Sequence, residues 1–215
     1  MSENPFIVSL RKHEVSREQL RRYLVNLASL AVGFPQVVSS VLGVCRDERV
    51  RHHLIANLLE EEGITSFEHN QIHFDPARSH AFLAKRLARA AGETEEVRAH
   101  VPTPWFRQKL ASGSWLAPFA YFAIGHEANI PLTFRLIIDT LSKDYGFDDA
   151  SLEFLTEHVT ADERHGHDAA EMIAAMVRNP EDRAEALEGA RRGGLSWWGF
   201  HKSFARFFKT PPGIA

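Results

Sequence analysis

HVTADERH, residues 158–165, sets His158, Asp162 and His165 at positions i, i+4 and i+7. At 3.6 residues per helical turn the three fall on one face, so a helix here presents imidazole, carboxylate and imidazole along one stripe. The neighbouring sequence supports a helix: apolar residues recur at three- and four-residue spacing from about Asp149 to Val177, and Asn179-Pro180 then breaks the pattern. Such a stripe is either a solvated polar face or part of a metal site. The spacing alone weighs the two readings evenly.

Outward from this segment the same period runs through almost the whole chain, and the class read from it is all-α. Ser16 precedes REQLRRYLVNLASLAVGF as an N-cap, and Pro35 is expected to kink or break that first helix. A second helix is expected from about Asp47 to Glu62, ending near Gly63. ITSFEHNQIHFDPARS, 64–79, reads as a loop, because its polar cluster and Pro76 interrupt the period and no stretch alternates long enough for a strand pair. HAFLAKRLARAAG restores the period. Pro102 and Pro104 punctuate the next junction, and the apolar run from Trp115 to Tyr145 is expected to be one helix kinked at Pro131 and closed by Tyr145-Gly146. A last helix is expected from roughly Arg183 to Phe208, followed by the extended tail TPPGIA. No repeat or interdomain linker is visible, so the expectation is one domain over residues 1–215.

Composition narrows the function classes. Hydrophobic residues make up 44% and charged residues 25%, ordinary globular usage. The 25 Lys and Arg are interspersed among 28 acids for a net charge of -3, which leaves no basic footprint for nucleic acid. The opening MSENPFIVSL lacks the plan of a signal peptide, and no run approaches 18 uninterrupted apolar residues, so neither a membrane partner nor export is expected. The single cysteine, Cys45, sits in an apolar stretch, cannot form an intramolecular disulfide and reads as a buried small hydrophobe. The expected compartment is the cytoplasm. The 12 histidines depart from the ordinary, and several cluster with acids.

Two further acidic features stand out. NLLEEEG places Glu60, Glu61 and Glu62 before a helix-ending glycine, where acids oppose the helix dipole; a solvated charge run or a bound cation accounts for them. Glu127 lies within the apolar run, and a buried carboxylate needs an ion pair, hydrogen bonds or a metal. His126 is adjacent but about 100° round a helix, so the two are not expected to share a site. Carboxylates and imidazoles from several helices are how dinuclear sites are built inside bundles, and this donor set suits iron or manganese rather than thiolate-bound zinc.

In their order along the chain these motifs resemble the haem-oxygenase-like dimetal oxidases, relatives of thiaminase-type and pyrroloquinoline-quinone-synthase-type helical proteins. NPFIVSLRKHEVSREQLRRYLVNL is similar to the family's opening and NLLEEEG to its first ligand helix. HAFLAKRLARAAG resembles the segment bearing its first histidine, and GHEANIPLTFRLIIDTLSKDYGF followed by EHVTADERH resembles its central acid and final ligand helix. The resemblance implies a bundle of about seven helices and a metal set of Glu61, His80, Glu127, His158, Asp162 and His165, with Glu61, Glu127 and Asp162 also serving catalysis. Glu62 stands as an alternative to Glu61, and His69 or His73 to His80. It further implies two ferrous ions, dioxygen as co-substrate, an external reductant, a homodimer, and oxidation of an amino acid, amine or fatty acid by N-oxygenation, carbon–carbon cleavage or oxidative decarboxylation.

Trp105, Trp115, Phe119, Tyr121, Phe122, Trp197, Trp198, Phe200 and Phe204 are candidates for an apolar pocket above the metals, against the commoner role of such residues as core. His167 and Asp168 read as outer or surface groups. The competing function is a metal-free enzyme on the same fold, a thiaminase-like hydrolase or cofactorless oxidase, and a third is a non-catalytic interaction protein with solvated acids and histidines.

Overall fold

The computed structural model describes residues 1–69 and 71–205. Its elements run α1 (Pro5–Arg11), α2 (Arg17–Val44), α3 (Glu48–Glu61), β1 (Ile64–Glu68), β2 (Gln71–Phe74), α4 (His80–Ala90), α5 (Pro104–Ala111), α6 (Leu116–Ala123), α7 (Ile130–Tyr145), α8 (Asp149–Met176) and α9 (Pro180–Phe204), with 3-10 turns at Pro76–Arg78 and Glu127–Asn129. Helices dominate, as the period requires, and their ends carry local chemistry. Ser16 and Gln19 form a reciprocal capping box at the start of α2. Asp148 accepts from the Ser151 amide at 2.8 Å at the start of α8, and Gly146, at φ 75°, closes α7 in the left-handed conformation.

Several boundaries differ from expectation. α2 continues through Pro35 without interruption. The run from Trp115 to Tyr145 is two helices: α6 stops at Ala123, residues 124–129 turn irregularly, and Pro131 occupies the first turn of α7, where a missing amide costs nothing. α9 begins at Pro180 because the Asn179 side chain accepts from the Asp182 amide at 2.8 Å, so Asn179-Pro180 starts the helix as well as ending what precedes it. The expected end at Phe208 and the tail TPPGIA lie outside the described residues.

The loop expected after Gly63 is an antiparallel hairpin, with Phe67 opposite Ile72 and Glu68 opposite Gln71. Phe67, Ile72 and Phe74 are 60%, 59% and 55% exposed. Gln71-Ile72-His73-Phe74 alternates polar and apolar residues, but the alternation spans only the four residues of β2 and is not continued through β1, so it is too short to stand out as a strand pair.

Two apolar clusters form the interior. One joins α1, α2, α4, α7 and α8 through Phe6, Leu24, Leu83, Phe134 and Leu155; the other joins α2, α3, α5 and α6 through Val38, Leu54, Phe106 and Phe122. Each large side chain so buried contributes roughly 1.5–3 kcal/mol relative to exposure. α9 lies unusually close to α6: a Cβ at Gly193 would overlap Gly125 and the Tyr121 carbonyl, and one at Gly189 would overlap Ala117. Gly166 does the same for α8, since a Cβ there would meet the Ala128 Cα at 3.0 Å. That clearance lets the 127–129 turn lie against α8.

Candidate metal centre

α8 presents His158, Asp162 and His165 inward, all three buried. The stripe seen in the sequence is therefore not a solvated face. Glu61 comes from the last turn of α3, His80 from the first residue of α4, and Glu127 from the turn between α6 and α7. The hairpin carries the chain away after Gly63 and returns it at Ser79, whose side chain caps α4 by accepting from Phe82 at 3.3 Å, and this fixes where His80 points.

These six side chains assemble into two groups of three. Glu61, His80 and His158 place ligand-capable atoms within 4.8 Å of one another, and so do Glu127, Asp162 and His165. Both groups open on one cavity, which Glu61, Glu127, His158 and Asp162 line together. Glu61 is 5% and His80 7% exposed, whereas Glu62, His69 and His73 are exposed and outside both groups. His167 and Asp168 are also exposed.

The geometry fits a cation better than it fits the protein alone. His80 Nδ1 lies 2.9 Å from Glu61 Oε1 without an aligned hydrogen bond. Neighbouring ligands at ~2.1 Å from a metal and at right angles sit ~3 Å apart, so that separation is natural for a shared ion. His158 Nδ1 is 2.7 Å from the Phe154 carbonyl, which can only accept; Nδ1 therefore carries the proton and Nε2 is left as a lone pair. Glu127 accepts from Asn57 Nδ2 at 3.0 Å through Oε1, but its Oε2, like Asp162 Oδ2, is buried with no partner among the described residues. Orphaned carboxylate oxygens in a dry interior are costly unless protonated or bound to a cation.

Electrostatics points the same way. Burial, and then the neighbouring Asp162, pushes the Glu127 carboxyl up to about 8. Burial likewise raises Asp162, against the pull of His165. His165 is buried, which opposes its charge, yet hydrogen bonds to Asp162 and Glu60 hold its imidazolium up to about 10. Burial and the nearby His80 drive His158 well below the ordinary imidazole range. Without a metal, Glu127 and the His165 imidazolium hold protons at neutral pH that divalent cations would displace.

The roles of three residues escaped the sequence reading, although Glu60 belongs to the acidic run it singled out. Glu60 Oε2 is 3.1 Å from His165 Nε2 while its Oε1 accepts from Arg164 at 2.8 Å, so the middle of NLLEEEG orients a histidine across the site. Asn57, one turn before Glu61 on α3, holds Glu127; the i, i+4 spacing was the available signal. His126, expected to face away from Glu127, lines the same cavity. The 100° rule failed because residues 124–129 are not regular helix. Of the aromatic candidates, Trp197 lines this cavity, Tyr121, Phe122 and Phe200 line its neighbour, and Phe119 and Phe204 are core.

Comparison with known proteins accords with this geometry. Residues 21–198 match the model of a family described as iron-containing redox enzymes. This chain belongs to the iron-containing redox enzymes. Its curated relatives include the 4-aminobenzoate synthase of Chlamydia muridarum, 29% identical over 212 residues that cover 95% of this chain and 84% of that protein. The 4-aminobenzoate synthase of Nitrosomonas europaea is 27% identical over 221 residues, 92% of this chain and 82% of that protein. Among solved structures, a CADD-like protein from Nostoc punctiforme aligns with a TM-score of 0.71 at 17% identity, covering 97% of this chain and 90% of that one. A TenA homologue from Pseudomonas syringae aligns at 0.68 and 18% identity, covering 96% and 84%. A Shewanella denitrificans domain described as having a heme oxygenase-like fold aligns at 0.69 and 14%, covering 97% and 86%. The redox family thus has here the haem-oxygenase-like helical fold that its motifs resemble.

Proposed function

We propose that this iron-containing redox enzyme holds two iron ions, one between Glu61, His80 and His158 and one between Glu127, Asp162 and His165, and uses dioxygen to oxidise a small amine. The observation that carries the reading is the pair of buried three-donor groups on one cavity, with carboxylate oxygens that no donor among the described residues satisfies. The relatives' name, 4-aminobenzoate synthase, favours an amine over a fatty acid.

The bound irons would supply dioxygen activation and one-electron chemistry that side chains lack. The chain's own residues do the rest. Glu127 and the His165 imidazolium hold protons at neutral pH that bound ions would displace, His158 is kept in one tautomer by the Phe154 carbonyl, and Glu60 orients the ring of His165. Leu27, Phe34, Phe134, Phe154 and Trp197 wall the cavity and exclude water from the reacting groups.

A metal-free hydrolase on this fold is disfavoured by the thiol. Cys45 is buried in the second apolar cluster, and burial raises its pKa, so it is a poor nucleophile.

Anaerobic titration of apoprotein with ferrous iron tests the proposal: two equivalents should bind, and air should then produce a transient visible absorbance. Asp162→Asn should lose both properties while remaining helical, and Asp168→Asn, at an exposed position of the same helix, should keep both. Stoichiometric zinc binding without oxygen reactivity, or normal iron uptake by the Asp162 variant, would overturn it.

A further inference from the structure

Beside the metal-facing cavity lies a second and larger one. The inner cavity, about 60 Å³, has room for a few small atoms, and the outer, about 300 Å³, has room for a ring. A cavity of about 150 Å³ already accepts benzene. The two share four walls: Leu30, Phe34, His126 and Trp197. A molecule occupying the outer cavity therefore approaches the metal-facing one past those side chains.

The chemistry of the outer walls is selective. Phe34, Phe106, Tyr121, Phe122, Trp197 and Phe200 supply aromatic faces, and among the described residues no Lys, Arg, Asp or Glu lines the cavity. His100, an exposed residue, is on the wall as well, so a carboxylate or ammonium lying beyond reach of that imidazole would be desolvated without a counter-charge, which is costly. An uncharged ring is not penalised. His126 is the polar group at the shared wall. Its ring is held between Tyr121, at 4.8 Å between centroids, and Trp197, at 5.7 Å, while the Tyr121 hydroxyl is engaged by Ser196 at 2.9 Å. The Nε2 of His126 is buried and has no hydrogen-bond partner among the described residues. A buried, unpaired ring nitrogen on a cavity wall is a group whose missing partner a ligand can provide.

We propose that the two cavities form one substrate route for an uncharged aromatic compound, an arylamine or phenol, and that His126 is the specificity-determining residue that hydrogen-bonds its polar substituent at the junction. This deepens the oxidoreductase reading by naming its substrate class, and depends on that reading only for what happens at the inner end.

Equilibrium binding of aniline, phenol, toluene and benzoate to the full-length protein under nitrogen tests it, both as purified and after chelation of metal. Phenol and aniline should bind about tenfold more tightly than toluene, the worth of one well-made hydrogen bond, and benzoate should bind more weakly than any of them. His126→Phe should abolish the preference for phenol over toluene while leaving toluene affinity within twofold, and His126→Gln should restore most of it. Val37→Trp, which fills the outer cavity from α2, should weaken all of the rings more than tenfold. Benzoate binding best, an unchanged phenol preference in His126→Phe, or ring binding unaffected by Val37→Trp would overturn the proposal. So would a phenol preference that disappears on chelation, because it would belong to the metal. Since the expected order holds with or without metal, failure of iron uptake leaves this test standing.

Discussion

Glu127→Gln should make the metal-free protein more stable at pH 8 and remove its metal response. Glu127 is 2% exposed, keeps one hydrogen bond from Asn57 and has its second oxygen unpaired. Burial raises its carboxyl from 4.5 to about 8, so the folded apoprotein retains a proton there that the unfolded chain has released. Stability is then full below the unfolded value and is lost as pH rises from about 4.5 through about 8, by roughly 3 to 5 kcal/mol. Glutamine keeps the size and the acceptor for Asn57 but never ionises. In this chain length that difference corresponds to roughly 10 °C in Tm, given 2–4 °C per kcal/mol. Thermal unfolding of chelated wild type and variant at pH 5 and pH 8 measures it: the curves should nearly coincide at pH 5 and separate at pH 8 with the variant higher. Ferrous iron under nitrogen should then raise the wild type strongly and the variant little. If the two proteins unfold alike at both pH values, Glu127 is not a strained buried acid, and the argument that its environment calls for a cation fails.

Other expected outcomes concern the surrounding groups. His80→Ala should lower iron occupancy, measured by metal analysis, whereas His69→Ala, on the exposed hairpin, should leave it unchanged; the reverse would move the ligand into the hairpin. Glu60→Ala frees His165 Nε2 from its 3.1 Å partner and should weaken metal affinity by about 10- to 100-fold with little loss of helicity; unchanged affinity would make the contact incidental. Burial lowers His201 to about 4, and its Nε2 has no partner, so stability present above pH 6.5 should be lost as pH falls toward 4, by up to roughly 3 kcal/mol. His201→Leu should flatten that part of the curve in urea titrations, and an identical acid profile would contradict a neutral buried imidazole.

What the chain determines locally was legible in it. Apolar spacing names a helix and the side that faces inward, so the all-α class and the common face of His158, Asp162 and His165 follow from residues within a few turns of one another. The caps at Ser16 and Gly146 are local in the same sense. Where neighbours in sequence leave regular helix, that logic stops. His126 joined Glu127 on one cavity because the 124–129 turn breaks the angular relation. The hairpin stayed hidden because its alternation is confined to the four residues Gln71–Phe74. The resemblance pointed to Glu61 and His80 but left Glu62, His69 and His73 open; the tertiary structure brings Glu61 and His80 beside His158, a meeting that depends on how far the hairpin carries the chain before α4 begins. The clearance at Gly166 that lets the Glu127 turn lie against α8 is equally non-local. A periodicity encodes which way a side chain points from its own axis, while the distance between two axes is set by the packing of residues far apart in the sequence, and a site of two three-donor groups exists only once both are fixed.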